Sequence, residues 1–508
     1  MRFGIDFGTT RTVIAVADRG NYPVIDVEDA AGDLHDFIPT IVAESRGRLV
    51  AGWPALAPEV PHSARLRSFK RLLASPDATP ETPVQVGEGK YPLGDILDVF
   101  ASHVADCLRE HPVVEAQPDT QLEAIIGVPA NAHSAQRLLT LDAFSRAGIR
   151  VIALVNEPSA AAFEYTHRHP RGINSRRTSV IVYDLGGGTF DASLVRISGT
   201  EHEVVRSLGV SRLGGDDFDE VLADLALAAA GRGDDVFGDR ARQRLLDEAR
   251  TAKERLAPQS RRLVLELGDD DVTVPVDAFY DASAHLVDAS IEAMRPLIGE
   301  TESATLADTD IAGIYLVGGA SGLPLVPRLL RDEFGRRVHR SPYPTASTAI
   351  GLAIAADPTS TFHLRDLVTR GIGVFRELDA GERVSFDALL APGEIADAEG
   401  RVAVTRRYRA AHNIGCFRYV EFSARAVADG ESESAVEMTG ELTPLVSVDV
   451  PFDPKLRDHP DLGSVTVERR EPGPEVIETV SVDANGIASV RIELPDEGYV
   501  IERSVERD

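Results

Sequence analysis

Apolar and polar positions in the first 165 residues alternate between strand-like and helix-like periods, the pattern of an α/β unit. Residues 2–5 and 12–16 read as strands on either side of Gly8-Thr9-Thr10. Residues 125–129 form a short apolar strand, and residues 131–147 a helix with Leu138, Leu139, Leu141 and Phe144 on helical spacing and Gly148 as its C-terminal cap. The arrangement then returns: residues 180–184 and 192–197 read as strands around Gly186-Gly187-Gly188, a duplication of pattern rather than of identity. Two similar lobes are expected.

Residues 220–299 are mostly helical, with runs at 221–230 and 242–256 and a strand pair near 263–276, and read as an insertion in the second lobe. Helices at 325–334 and 345–356 complete the α/β part, and Asp357-Pro358-Thr359-Ser360 has boundary composition. Beyond it the period changes to two. Val446, Val448, Val450 and Phe452 alternate with polar positions, and Asn485-Gly486 before Ala488, Val490, Ile492 and Leu494 predicts a hairpin whose type I′ turn puts both central residues at positive φ. The expected division is 1–357 for the α/β domain, 358–368 for a linker and 369–508 for a β-sandwich-like domain. Lobe I takes about 1–165 plus 345–357, and lobe II about 166–344.

Composition narrows the partners. A chain of 508 residues, 43% hydrophobic, can bury several cores and corresponds to about three units. Its formal charge of -28, from 81 acidic and 53 basic residues, repels a polyphosphate backbone or an anionic bilayer, so nucleic acid and membrane are not expected partners. Cys107 and Cys416 match no metal or redox spacing and read as two reduced, buried thiols of a cytoplasmic protein. The start, MRFGIDFGTT, lacks a signal-peptide apolar run, and no segment has the length of a membrane span. His167-Arg168-His169 reads as a solvated basic turn.

Chemistry concentrates at the glycines. In Asp6-Phe7-Gly8-Thr9-Thr10 and Asp184-Leu185-Gly186-Gly187-Gly188-Thr189 a strand ends in a carboxylate, and Cβ-free residues then let backbone N–H groups approach an anion. Hydroxyls of Thr9, Thr10 and Thr189 add donors. A carboxylate beside phosphate is repelled unless a cation intervenes, so the paired acids imply Mg²⁺ held through its waters. Either turn alone reads as an ordinary hairpin; their pairing, with Gly318-Gly319-Ala320-Ser321-Gly322 as a third glycine-rich loop, favours a phosphate site.

The order and spacing of Asp6 to Thr10, Val155-Asn156-Glu157-Pro158-Ser159-Ala160-Ala161-Ala162, Tyr183 to Asp191, Leu213-Gly214-Gly215-Asp216-Asp217-Phe218-Asp219 and Leu316-Val317-Gly318-Gly319 resemble the ATPase domain of the seventy-kilodalton heat-shock chaperones, within the actin-like superfamily. The resemblance covers residues 1–357. It continues more weakly in Thr369-Arg370-Gly371-Ile372-Gly373 and Val482-Asp483-Ala484-Asn485-Gly486-Ile487, similar to parts of that family's peptide-binding β-sandwich. It implies a two-lobed, ribonuclease H-like ATPase using ATP/ADP and Mg²⁺, followed by the all-β domain.

Residue by residue, the resemblance implies that Asp6, Asp184 and Asp191 organise Mg²⁺ through water, and that Gly8, Thr9, Thr10, Arg11, Gly186, Gly187, Gly188 and Thr189 surround the phosphates. Gly214, Gly215, Arg250, Lys253 and the loop Gly318, Gly319, Ala320, Ser321 and Gly322 complete the nucleotide site. Lys70 matches the catalytic lysine, Glu157 the glutamate that orients the attacking water, and Pro129 and Arg137 the pair that relays nucleotide state between domains. The chain has only four lysines, Lys70, Lys90, Lys253 and Lys455, so two of them falling on family lysine positions carries weight. Lys70 alone could be a solvated surface lysine, and Glu157 alone an acid favoured by a helix N-terminus. Implied partners are unfolded or partner polypeptides, a J-domain co-chaperone and a nucleotide-exchange factor.

The chain also departs from the family pattern. Gly322 replaces an arginine that stacks on adenine, Arg250 a glutamate of the adenosine pocket, and Thr345 and Ala346 an acidic pair, changes that imply weaker nucleotide affinity or looser base preference. Stacking of a cation on a ring contributes on the order of 0.5–2 kcal/mol. The segment 361–368 replaces an acidic leucine-rich linker, and the helical lid over bound peptide has no counterpart here, which implies fast peptide release. The leading expectation is an ATP-dependent, lidless chaperone. Alternatives are a nucleotide-switched scaffold with one dedicated partner and, less well supported, a small-molecule kinase or a filament-forming relative on the same fold.

Overall fold

In the computed structural model of the chain the described residues are 1–115, 120–168, 173–210, 212–231, 239–268, 270–299, 306, 309–360, 363–364, 370–378, 383–392, 394, 396–397, 400–422, 424–426, 436–438, 442–470 and 472–504. They form two compact units: Met1–Arg71, Pro80–Ala130 and Ala143–Leu364 in the first, and Leu72–Thr79, Asn131–Asp142 and Arg365–Asp508 in the second. Among them, no helix is long and apolar enough to cross a membrane.

In the first unit, β1 (Arg2–Phe7) is apolar because both its faces are covered. It shares a sheet with β2 (Arg11–Val16), β3 (Ile38–Pro39), β4 (Glu123–Val128) and β5 (Arg150–Asn156), in the order β5-β4-β1-β2-β3. The second sheet contains β6 (Ser179–Leu185), β7 (Phe190–Ser198), β8 (Glu201–Val210), β9 (Ile311–Val317), β10 (Val338–Arg340) and β11 (His363–Leu364), in the order β10-β9-β6-β7-β8-β11. The duplicated pattern is real at this level: β1 runs antiparallel to β2 and parallel to β4, as β6 does to β7 and β9.

The helices of ten or more residues are α1 (Leu93–Glu110), α2 (Ser134–Arg146), α3 (Glu157–Arg168), α4 (Gly215–Ala229), α5 (Asp239–Glu254), α6 (Val276–Met294), α7 (Leu325–Phe334) and α8 (Ser347–Ala356). Nearly every residue of α8 is buried, because small residues let it touch backbone on two sides. A Cβ on Gly351 would lie 1.8 Å from Ala160 O, and one on Gly4 would lie 2.3 Å from Ala353 N. The alanine run of α3 and the glycine of β1 are therefore packing requirements. Four phenylalanines form a second centre: Phe7 stacks on Phe100 at 5.5 Å, meets Phe144 edge-on at 5.6 Å, and lies 6.1 Å from Phe69. These contacts fix the residues beside Asp6 and Lys70.

The second unit has two four-stranded antiparallel sheets. Their strands are β12 (Gly371–Leu378), β13 (Arg383–Leu390), β14 (Val402–Arg409), β15 (Ile414–Phe422), β16 (Thr443–Pro451), β17 (Glu475–Val482), β18 (Ala488–Leu494) and β19 (Tyr499–Ser504), ordered β13-β12-β15-β16 and β14-β17-β18-β19. Val448, Val450, Val480, Val490 and Ile492 share one core between them, as their alternation requires. Glu478 is also inside that core. Its Oε1 accepts from Tyr419 Oη at 2.6 Å and its Oε2 from Arg376 Nη2 at 2.7 Å, so the charge is buried with partners.

Several expectations need correction. The 485–486 hairpin forms, but only Gly486 has positive φ, +74°. Asp483 Oδ1 accepts from Asn485 N at 2.9 Å and Ile487 N at 2.8 Å, so an Asx-stabilised turn with a left-handed glycine replaces type I′. Cys416 is exposed and Cys107 only partly covered, so the pair of buried thiols is not found. Arg168 belongs to α3 and pairs with the fully buried Glu164 instead of lying in a solvated turn, while His169 lies outside the described residues. So do 361–362 and 365–368 of the altered linker segment.

Candidate active site

Each of the two large sheets of the first unit carries an aspartate at the end of a central strand and then turns on glycine. In the first turn Gly8 N–H donates to Asp6 O at 3.0 Å, and a Cβ on Gly8 would lie 2.3 Å from Arg11 O. In the second, Gly186 N–H donates to Thr189 O at 3.0 Å, and the chain returns with Asp191 directly opposite Asp184. The two turns touch. A Cβ on Gly187 would stand 2.5 Å from Thr10 Cγ2 and 2.6 Å from Thr10 Oγ1, so glycine is required where the lobes meet.

Lys70 reaches this place from the 3₁₀ stretch Phe69–Ala74. Its Nζ donates to Glu157 Oε1 at 2.8 Å and lies 5.3 Å from the centre of the Phe7 ring. The side chains of Lys70 and Glu157 are only 7% and 15% exposed. Glu157 opens α3, where the helix dipole favours an acid. Burial, then the charge of Glu157, pushes Asp6 up to about 7, while Lys70 pulls it down. Burial and Glu157 also push Asp191 up to about 7, and burial, Glu157, Asp6 and Asp191 hold Asp184 well above the usual carboxylate range. Four acids thus surround one ammonium, and the site is short of positive charge.

The start of α4 is seated on the second turn. Gly215 N–H donates to Gly186 O at 2.9 Å and Asp216 N–H to Gly187 O at 2.7 Å, while a Cβ on Gly214 would approach Gly188 N to 2.6 Å. Arg71 Nη2 donates to Gly188 O at 2.6 Å and lies 3.4 Å from Asp216 Oδ2. From α5, Arg250 Nη2 pairs with Asp216 Oδ1 at 2.7 Å, and Lys253 Nζ pairs with Asp219 Oδ1 at 2.6 Å. Arg250 Nε is 3.3 Å from Asp219 Oδ2. Arg11 Nη2 crosses to Glu254 Oε2 at 2.6 Å and its guanidinium covers Phe37 at 4.4 Å.

The third loop adjoins the acids. Gly318 has φ +82°, and a Cβ there would lie 2.3 Å from Asp184 Oδ1. Ser321 Oγ donates to Gly318 O at 2.7 Å, and Gly322 N–H to Gly319 O at 3.1 Å, closing Gly318-Gly319-Ala320-Ser321-Gly322 into one tight turn. The two turns and the third loop thus converge with Lys70 and Glu157. Arg250 and Lys253 stand beside them with their charges engaged by Asp216 and Asp219. Pro129 follows β4 in the first unit. In the second unit, Arg137 donates through Nη1 to Asn485 O and through Nε to Ala132 O, both at 3.2 Å.

Arg71, Asp216, Asp219 and Glu254 are the neighbours that sequence reading assigned no role. Asp216 and Asp219 lie inside a quoted motif, and Arg71 follows Lys70, but nothing local reveals whom they pair with. Among the described residues there is no group of three or more His, Cys, Asp or Glu that could hold a metal directly.

A family model described as Hsp70 protein matches residues 101–374, more than half of the chain. The chain belongs to the Hsp70 family. It is 32% identical over 395 residues to a "Chaperone protein HscA homolog" of Paracidovorax citrulli, and 33% identical over 401 residues to one of Colwellia psychrerythraea. It is 34% identical over 396 residues to "Chaperone protein HscA" of Serratia proteamaculans. Each alignment covers 73% of this chain and 61% of the relative, so this Hsp70-family chain spans about three-fifths of the length of those relatives. Asp6, Thr10 and Lys70 lie before the stretch matched by the Hsp70 model, and their place at the site rests on the geometry above.

Proposed function

We propose that this Hsp70-family chain binds ATP where its two glycine turns meet, hydrolyses it, and couples that cycle to binding of unfolded polypeptide by the β unit. The observation that carries the reading is the buried Lys70–Glu157 pair, at 2.8 Å, among Asp6, Asp184 and Asp191. An ammonium held by a glutamate next to backbone-lined turns is what phosphoryl transfer to water needs, because such catalysis is mostly positioning and charge neutralisation.

Lys70 would offset charge developing on the terminal phosphoryl, and Glu157 would orient the attacking water. Thr9, Thr10, Gly187, Gly188 and Thr189 would hold phosphate oxygens. Three raised carboxyls without a close-packed ligand cluster fit a hydrated cation better than a directly ligated one, so Asp6, Asp184 and Asp191 would hold Mg²⁺ through water. When bound, Mg²⁺ would neutralise the phosphates and relieve the mutual repulsion of these acids. Pro129 and Arg137 would pass the nucleotide state toward the β unit. A J-domain protein, an exchange factor and a cytoplasmic setting belong to the same proposal.

The test is single-turnover ATP hydrolysis, with and without denatured polypeptide, on wild type, Lys70→Ala and Glu157→Ala. Both variants should still bind ATP while hydrolysis falls by about 100-fold or more. Polypeptide should change the wild-type rate or ATP affinity, as linkage requires. Unchanged rates in both variants would overturn the assigned roles, and indifference to polypeptide would overturn the chaperone part.

A further inference from the structure

We propose that Arg340 is the residue that stacks on the nucleotide base, an inference that rests on the nucleotide reading above. The strands β6, β9 and β10 are neighbours and parallel, with Asp184 paired to Val317 and Leu316 to Arg340, so Asp184, Val317 and Arg340 stand at one carboxyl edge. Ligands of open parallel sheets bind outside that edge. Two strand spacings place Arg340 about 10 Å from Asp184, an interval for the sugar and inner phosphates to span if the outer phosphates lie at β6.

The loop 318–322 bridges the interval. At its start a Cβ on Gly318 would meet Asp184 Oδ1 at 2.3 Å, and at its end a Cβ on Gly322 would meet Arg340 Nη2 at 3.2 Å. Gly322 does not have positive φ, so its lack of a side chain answers to space and not to backbone strain. Between these ends stand only Gly319, Ala320 and Ser321, a shelf without bulk.

The other cations around the site are taken. Arg71, Arg250, Lys253 and Arg11 each face a carboxylate. The side chain of Arg340 is exposed and makes no hydrogen bond or ion pair with the described residues. A planar guanidinium with a free face beside a bare shelf suits an aromatic ring, and it tolerates any purine because stacking reads the π-face rather than ring substituents. The simpler explanation is a solvated arginine on an edge strand, and the two differ in which part of the nucleotide responds.

The experiment is calorimetric binding of Mg²⁺-ADP and of base-free Mg²⁺-tripolyphosphate to the full chain, comparing wild type, Arg340→Ala and Arg340→Lys. Arg340→Ala should weaken ADP by about 3- to 30-fold and leave tripolyphosphate unchanged. Arg340→Lys keeps the charge but loses the planar face, and should weaken ADP nearly as much. ADP affinity that is unchanged in Arg340→Ala, preserved by lysine, or lost in step with tripolyphosphate would overturn the assignment. Wild type that binds neither ligand would overturn the nucleotide reading itself, and this inference with it.

Discussion

Lys70 Nζ and Glu157 Oε1 stand 2.8 Å apart, and Lys70 is the ammonium that lowers the proton affinity of Asp6, Asp184 and Asp191 together. Asp6 and Asp191, raised to about 7, carry protons at pH 6 that unfolded carboxylates lack, so the stability they contribute falls as pH climbs from about 4 to 7. Lys70→Ala removes the opposing charge and extends that loss upward. Without magnesium, the variant should lose about 3 kcal/mol at pH 8 and clearly less at pH 6, where the acids can protonate. Urea midpoints at the two pH values decide it; an equal loss at both would show that Lys70 does not set the charge state of these acids.

Arg250 belongs to the site's neighbourhood in a different way from the one its place in the sequence implies. Its guanidinium spans Asp216 and Asp219, and the nearly buried Asp219 also holds Lys253. Its value is therefore first structural. Arg250→Ala should lower stability by about 1–3 kcal/mol, and Arg250→Glu should cost more, since it sets an acid against two others. Asp216→Asn should recover part of the Arg250→Glu loss in thermal denaturation. An Arg250→Glu protein as stable as wild type would refute this reading.

The parts legible in sequence are those written locally. The aspartate–glycine turns, the alternation of β16 to β18 and the alanine-rich α3 and α8 all follow from short patterns. The α1 helix is legible in the same way, with Leu93, Ile96, Leu97, Phe100, Val104 and Leu108 on helical spacing. The turn at 485–486 failed for a physical reason. Asp483, two residues upstream, captures the backbone N–H groups, and a dipeptide rule does not see it. The ion pairs and hydrogen bonds around the site were out of reach because their partners are distant, 243 residues apart for the Arg11–Glu254 ion pair and 117 for the hydrogen bond from Arg71 to Gly188 O. Exposure of Cys416 likewise depends on which face of β15 it occupies.

His202 makes the first unit sensitive to acid. It is fully buried, 2.8 Å from Thr166 Oγ1 and 4.5 Å from the Phe163 ring, and burial lowers its pKa to about 4, opposed weakly by Thr200 O. The unfolded histidine titrates near 6.5, so the unfolded chain binds the extra proton first. The part of the stability that His202 controls is then full above about 6.5 and is lost as pH falls toward 4, by roughly 1.4 kcal/mol per pH unit across that window, a slope opposite in sign to that of Asp6 and Asp191. In denaturant titrations the stability of His202→Gln relative to wild type should rise by this amount per unit as pH falls from 6.5 to 4. A variant with the wild-type slope would place the sensitivity elsewhere.

Gly351→Ala sets two known effects against each other. Within a helix, alanine is favoured over glycine by about 1 kcal/mol, so propensity alone predicts a more stable protein. The added Cβ, however, would stand 1.8 Å from Ala160 O, a backbone atom of α3 that cannot rotate aside. Relief requires α8 to move off α3, which also disturbs its seat on β1, where Gly4 would bring a Cβ to 2.3 Å from Ala353 N. Overpacking of this kind costs about 1–3 kcal/mol even where side chains can adjust, and here none can. The net expectation is a loss of about 2 kcal/mol or more in Gly351→Ala, read as a lower thermal midpoint of the first unit. A midpoint at or above wild type would mean that α3 and α8 are not in backbone contact.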